Sequence, residues 1–267
     1  YIRVYDGVSK RLEWRSDSLQ GLSRVYVNDI DDDGIAEIIV SMDSIQILKY
    51  NGELRTYDPI VTIQPPAGKV GIYARNMEIL DVDRDGKDEI VVLDGERELY
   101  LYDIDTLKWR FVSSNVYIFT IKDFDGDGEY ETVLSKVYDS KIYVYRINNE
   151  TIIKDFEMDF MEYSVWSSYI KALSYGDVDN DGIIELIVAL DDGCLLFIDI
   201  INKNIKYRML LGNKPTYPNA IKVDNIDEDS ENEIVIGGKG YVYVFSLIPY
   251  VPLPTPTTED IEVTINI

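Results

Sequence analysis

Histidine is absent from the 267 residues, and cysteine occurs once, as Cys194. Without imidazole there is no ordinary general base, no Ser-His-Asp or Cys-His pair, and no histidine-based zinc site. A single cysteine excludes a disulfide within the chain and any cysteine cluster for zinc or iron–sulfur. Basic residues are also few: 26 Lys and Arg stand against 49 Asp and Glu, a formal net charge of −23. Such a field repels phosphate backbones and anionic lipid surfaces, so no nucleic-acid partner is expected. No apolar run approaches the roughly 18 residues of a membrane-spanning helix, so no membrane span is expected in this chain. No signal-like segment opens it, and a start at Tyr1 rather than Met suggests a processed or excised product. At 46% hydrophobic residues the chain can bury a core, so the acidity belongs to a folded protein.

What is present is a repeat. The nine-residue pattern Asp-x-Asp-x-Asp-Gly-x-x-Glu, each time followed by an apolar run, begins at Asp29, Asp81, Asp123, Asp177 and, in altered form, Asn225. The copies lie 52, 42, 54 and 48 residues apart, the spacing of four-stranded propeller blades. Strand-like stretches precede them, as in Arg24–Asn28, Asn76–Leu80 and Ala172–Gly176. β-Branched runs follow, as in Ile38–Ser41, Ile90–Leu93, Thr132–Ser135, Leu186–Leu190 and Ile234–Gly237. A third strand alternates large side chains (Tyr100 and Tyr102, Tyr143 and Tyr145), which places them on one face as packing residues. A fourth carries Leu12–Arg15, Leu107–Arg110 or Ile205–Arg208. No segment sustains a helical period over twelve or more residues. The expected fold class is all-β, a β-propeller of four-stranded blades over 1–248. It would comprise a partial blade over 1–20 and repeats over about 21–70, 71–112, 113–165, 166–212 and 213–248. Five to seven blades are compatible with this count.

Carboxylates at alternate positions of a tight loop converge on one centre, and glycine at position six permits the sharp turn. A backbone carbonyl at position seven and a carboxylate at position nine can complete an all-oxygen cage, the ligand set of calcium. The candidate ligands are Asp29, Asp31, Asp33, Ile35 and Glu37 in loop one, and Asp81, Asp83, Asp85, Lys87 and Glu89 in loop two. Loop three offers Asp123, Asp125, Asp127, Glu129 and Glu131, and loop four Asp177, Asp179, Asp181, Ile183 and Glu185. Loop five offers Asn225, Asp227, Asp229, Glu231 and Glu233. Loop five lacks the first Asp and has Ser230 in place of glycine, so weaker binding is expected there. An EF-hand would need Glu at position twelve, where this chain has Val40, Val92, Leu134, Val188 and Ile236. Acids at positions one, three, five and nine number four in each of the first four loops and three in the fifth, 19 of the 49, and without these 19 the net charge would be −4. The acidity therefore belongs to the loops.

This loop followed by an apolar strand resembles the FG-GAP or integrin-α-like (VCBS-type) repeat, over roughly Gly21 to Phe245. The resemblance implies a calcium-bearing propeller in which each loop joins the first and second strands of a blade. It also implies that the side chains at positions one, three, five and nine ligate the metal. Position nine is Glu throughout, where the family often has Asp, and the Phe-Gly and Gly-Ala-Pro landmarks are not evident.

Calcium sites of extracellular modules have dissociation constants on the order of 0.1–1 mM, so an extracellular or cell-surface location is expected. Asn149-Glu-Thr151 is a glycosylation sequon on an expected hairpin tip, with Asn149 the acceptor. The ends are not expected to close a ring on their own. Residues 2–15 read as the third and fourth strands of a blade, and the last repeat supplies three strands. A Pro/Thr-rich linker follows at 249–259, and residues 260–267 alternate as an isolated strand. That strand either begins a following domain or donates itself to another copy, building a homo-oligomer or filament. The function expected is a non-catalytic structural or adhesive surface module with protein or glycan partners. The alternatives are a lectin-like propeller and, less favoured, a polysaccharide hydrolase or lyase. Asp155, Glu157 and Asp159 alternate on an expected surface strand, which argues for a solvated face rather than an acid–base pair.

Overall fold

The computed structural model describes residues 1–148, 151–163, 169–211, 220–227, 229, 231–238 and 241–247. The sequon residue Asn149, the linker 249–259 and the segment 260–267 lie outside them. The described residues form 21 strands and one 3-10 turn, Met161–Tyr163, with no α-helix among them. Six sheets result, and in each the strands lie side by side in chain order. The first pairs β1 (Arg3–Tyr5) with β2 (Leu12–Arg15). The second contains β3 (Arg24–Asn28), β4 (Glu37–Ser41), β5 (Ile45–Asn51) and β6 (Thr56–Ile63). The third contains β7 (Asn76–Leu80), β8 (Glu89–Leu93), β9 (Leu99–Asp103) and β10 (Lys108–Ser113). The fourth contains β11 (Val116–Lys122), β12 (Glu131–Lys136), β13 (Lys141–Ile147) and β14 (Ile152–Asp159). The fifth contains β15 (Ile170–Gly176), β16 (Glu185–Leu190), β17 (Cys194–Asp199) and β18 (Asn204–Leu210). The sixth has three strands, β19 (Ala220–Asp224), β20 (Glu233–Gly238) and β21 (Tyr241–Ser246).

The described residues group into two compact units, 1–116 with 148, and 117–147 with those from 151 onward. In the first unit, β4 is buried on both faces because its residues alternate between two cores. Ile39, with Ile45 and Ile47, packs against Met77, Ile90, Val92 and Tyr102 of the third sheet. Ile38, Val40 and Leu48 pack against Ile2, Val4 and Trp14 of the N-terminal hairpin. In the second unit the fifth sheet is sandwiched in the same way. Leu186, Val188, Leu196 and Ile198 meet Val133, Val144 and Phe160 on one side. Ile187, Ala189, Leu195 and Phe197 meet Ile234, Ile236 and Phe245 on the other. Each fully buried aliphatic contributes about 1.5–3 kcal/mol, so these doubly buried strands hold the sheets together. Cys194 is buried here as a packing residue, its thiol pushed up by burial.

The alternating aromatics also pack. Tyr102 packs on Trp109 with ring centroids 4.8 Å apart and planes tilted by 59°, and is 6% exposed. The first strands of neighbouring sheets are tied by polar contacts. Tyr26 Oη donates to Asn76 Oδ1 at 3.1 Å and accepts from Met77 N at 2.8 Å. In the second unit Ser174 Oγ donates to the Ile221 carbonyl at 3.1 Å. On β14, Asp155, Glu157 and Asp159 are exposed, as the alternation requires.

Candidate metal centres

The five acidic loops occupy the β3–β4, β7–β8, β11–β12, β15–β16 and β19–β20 connections. Their shape follows from side chains bonding the loop's own backbone. The ninth residue folds back, so that Glu37, Glu89, Glu131, Glu185 and Glu233 accept through Oε2 from the backbone N of Ile30, Val82, Phe124, Val178 and Ile226. These distances are 2.9–3.1 Å. The fifth residue forms an Asx turn. Oδ1 of Asp33, Asp85, Asp127, Asp181 and Asp229 accepts from the N of Ile35, Lys87, Glu129, Ile183 and Glu231 at 2.6–3.0 Å. The first residue accepts from the glycine: Gly34, Gly86, Gly128 and Gly182 donate to Asp29, Asp81, Asp123 and Asp177 at 2.8–3.0 Å. These glycines have φ of 82–92°, the left-handed region that only glycine enters cheaply. Position four is left-handed as well, at Asp32, Arg84, Gly126 and Asn180.

The carboxylates that remain converge. Ligand atoms of Asp29, Asp31 and Asp33 lie within 4.8 Å of one another, as do those of Asp81, Asp83 and Asp85, of Asp123, Asp125 and Asp127, and of Asp177, Asp179 and Glu185. Three loops bring a basic side chain to the centre, and it meets positions three, five and nine each time. Lys49 Nζ on β5 lies 2.5 Å from Asp31, 2.6 Å from Asp33 and 3.4 Å from Glu37. Lys206 Nζ on β18 lies 2.9 Å from Asp179, 2.7 Å from Asp181 and 2.7 Å from Glu185. The Arg146 guanidinium on β13 lies 3.4 Å from Asp125, 3.6 Å from Asp127 and 3.8 Å from Glu131.

Loop two differs. Lys87, its own lysine, turns outward to Asp105 at 2.6 Å. Arg110 Nη1 stands 3.8 Å from Asp83 and makes no hydrogen bond. The residue one place beyond Tyr102, which pairs with Ile90, is Asp103, where loop one has Lys49 and loop three Arg146. Loop five has Ser246 there, which donates to Glu233 Oε1 at 3.1 Å.

Burial governs the titration of these acids. It raises Asp83, with Asp85 and Asp103 adding to the effect. It pushes Glu89 up to about 8, aided by Asp83, and Glu131 to about 7 despite Arg146. Glu185 is raised by burial against the opposing bond from Lys206. Asp33 and Asp181 are held down by the bonds from Lys49 and Lys206. Burial alone would lower Lys206, but bonds to Asp181, Glu185 and Asp179 outweigh it.

Glu37 Oε1, Asp81 Oδ1, Glu131 Oε1 and Asp179 Oδ1 are buried without a hydrogen bond. All are hard carboxyl oxygens inside the loops; Lys49 stands 3.4 Å from Glu37 Oε1 and Arg146 3.8 Å from Glu131 Oε1, and such orphans are costly unless a cation stands beside them. The donor set fits a divalent oxygen-seeking cation. Ile35, Lys87, Glu129, Ile183 and Glu231 hold position seven, where their backbone N–H groups complete the Asx turns. In loop five, Asn225 Nδ2 donates to the Asp229 carbonyl at 2.6 Å, so it braces the turn. Sequence reasoning missed Lys49, Arg146 and Lys206, although Arg146 directly follows the alternating Tyr143 and Tyr145. It also missed Asp94, Glu96 and Glu98, whose carboxylates close on Lys69 at 2.9, 2.5 and 2.5 Å.

No protein-family model matches the sequence, and no curated protein does. Solved structures do. BBS1N, crystallised in complex with ARL6DN and soaked with lead, superposes with a TM-score of 0.59 at 15% identity, over 90% of this chain and 67% of that one. The β-propeller domain of Myceliophteria thermophila Cps50 (Swd1) gives 0.60 at 12% identity, over 93% and 71%. The computationally designed protein Ika8 gives 0.57 at 16% identity, over 92% and 64%. At these identities the likeness concerns the fold alone: meandering antiparallel sheets in a β-propeller-like arrangement.

Proposed function

We propose that this chain is a calcium-stabilised β-propeller module of the FG-GAP or integrin-α-like kind, working outside the cell as a non-catalytic adhesive or structural element. The observation that carries the reading is the set of buried, hydrogen-bond-free carboxylate oxygens in the acidic loops. The residues that would hold calcium are those at positions one, three, five and nine of each loop, with the carbonyl at position seven. The metal would supply positive charge and no chemistry. Calcium sites of extracellular modules bind on the order of 0.1–1 mM, and loops of that affinity would suit a calcium-rich compartment. A site at a hundred times its dissociation constant adds about 2.7 kcal/mol to stability. Association with a second copy through residues 260–267 would extend the module into a filament. The test is calorimetric titration of the stripped chain with calcium, together with the thermal midpoint with and without chelator. Binding with a raised midpoint is expected. A chain that binds no calcium and melts identically in both conditions would sink the proposal.

A second reading, glycan binding, is favoured by a cleft in the first unit of about 540 Å³. Trp14, Tyr50, Tyr57, Arg11, Arg55 and Glu13 are among its lining residues. Tyr57 stands 5.1 Å from Trp14 and 5.2 Å from Tyr50, and Tyr50 is 40% exposed. Aromatic faces beside guanidinium groups suit an acidic sugar. Oligosaccharide binding abolished by Trp14→Ala, with the calcium response intact, would establish this reading; no binding across neutral and acidic glycans would remove it.

A further inference from the structure

We infer that Lys49, Arg146 and Lys206 are built-in counter-ions that hold the centre of loops one, three and four. Calcium then enters those loops only by exchange for a basic side chain, and loop two fills first. This deepens the calcium reading and rests on it.

Three independent side chains, from three different strands, meet equivalent acids. Lys49 and Lys206 each touch the third, fifth and ninth residues of their loops, and Arg146 does the same with longer contacts. Those are the residues left to face the centre once the backbone bonds of positions one, five and nine are made. The ninth residues Glu37, Glu131 and Glu185 are at most 1% exposed, so each centre is defined by at least one buried acid. Lys206 is the most firmly held. Its contacts are 2.7–2.9 Å, and Tyr207 Oη donates to the same Asp179 at 2.6 Å. Arg146 has the longest contacts, 3.4–3.8 Å, and a side chain 39% exposed, with Glu129 at 3.8 Å and Asp155 at 3.5 Å as further partners.

Loop two is held differently: the basic group that reaches it, Arg110, stands farther from the acids than Lys49 or Lys206 do from theirs. Asp103 takes the place corresponding to Lys49, as Asp199 does in loop four, but Lys87 bonds Asp105 instead, and Arg110 donates through Nη2 to the Asn148 carbonyl at 2.5 Å and reaches Asp83 only at 3.8 Å. Asp83 has a side chain only 2% exposed, and the buried Asp81 Oδ1 has no hydrogen bond. A cation entering loop two meets one long ion pair, Arg110–Asp83 at 3.8 Å, rather than three short ones. A cation entering loop four must break three short ion pairs first. The expected order of filling is loop two, then loop three, then loop one, with loop four last.

The experiment is calorimetric titration of the chelator-stripped full chain with calcium chloride, for the native protein, Asp83→Asn and Lys206→Met, with thermal midpoints in chelator. The native isotherm is expected to show one tight site followed by weaker ones. Asp83→Asn should remove the tight one. Lys206→Met should add a second tight site, at least tenfold stronger than any in loop four of the native chain, while lowering the midpoint in chelator. If Lys206→Met does not fold, Lys49→Met asks the same of loop one, through a more exposed side chain. Calcium binding that is unchanged by the lysine variants, or a tight site that survives Asp83→Asn, overturns the exchange and leaves the calcium reading standing. Absence of calcium binding in every variant overturns both.

Discussion

Replacing Glu89 by Gln keeps the side chain's shape and removes its charge. Glu89 is 1% exposed, and its Oε2 accepts from the buried Val82 N at 2.9 Å. The amide oxygen of Gln can take that bond, so the backbone donor stays satisfied. In the metal-free chain burial has already pushed the Glu89 carboxyl to about 8, so near neutral pH the protonated acid and the amide are close equivalents. The midpoint in chelator should move by no more than about 2 °C, the size of a ~0.5 kcal/mol change. In calcium the variant lacks one anionic ligand. If that weakens loop two a hundredfold, a contribution of about 2.7 kcal/mol falls to about 0.4 kcal/mol. At about 2–4 °C per kcal/mol for chains of this size, the midpoint drops by roughly 5–9 °C. Glu89→Ala is the control. It strands the Val82 N–H in a buried place, at about 1–3 kcal/mol, and should lower the midpoint with and without calcium. Differential scanning calorimetry of the three proteins in both conditions decides the matter. An equal loss for Glu89→Gln in chelator and in calcium would refute the reasoning, because the charge would then serve the fold and not a metal.

Tyr26→Phe removes the hydroxyl that links Asn76 and Met77 across two sheets, and should cost about 1–2 kcal/mol by chemical denaturation. Leu101→Ala empties a fully buried position on β9 and should cost about 2–5 kcal/mol in the same assay, with little change in calcium affinity. Lys69→Met tests the second acidic cluster through pH. The hydrogen bond from Lys69 holds Glu98 below its ordinary value of 4.5, so that carboxylate contributes stability above this pH and loses it as pH falls further. The stability gap between the native chain and Lys69→Met should therefore be full near neutrality and narrow below about pH 4.

The loops and their flanking strands were legible because their determinants are local. Asp and Gly at fixed spacing prescribe a turn, and the β-branched run after it prescribes a strand. The second strands begin one residue earlier than the apolar runs, since Glu37, Glu131 and Glu233 themselves pair with neighbouring strands. The left-handed fourth position was hidden at Arg84, a residue type that gives no hint of such a conformation. The double role of the ninth residue was hidden too: a ligand was expected, and the structure adds a backbone acceptor, which explains a side chain longer than Asp. The counter-ions were out of reach for a different reason. Lys206 belongs to a fourth strand, opposite a bulge where the register shifts between Phe197 and Ile198. Bulges and hairpin lengths vary from sheet to sheet, so no fixed offset from the loop points to the cation.

The hydrogen bonds from positions two, six and seven fix each complete loop without reference to what stands at its centre. Backbone geometry and charge neutralisation are thereby separable inheritances. On the calcium reading, a blade would take its positive charge either from a bound ion or from a lysine or arginine of its own sheet, and one substitution would separate the two. An array of such blades need not switch as a whole. If calcium does fill the remaining loops, dependence on it would be set one blade at a time.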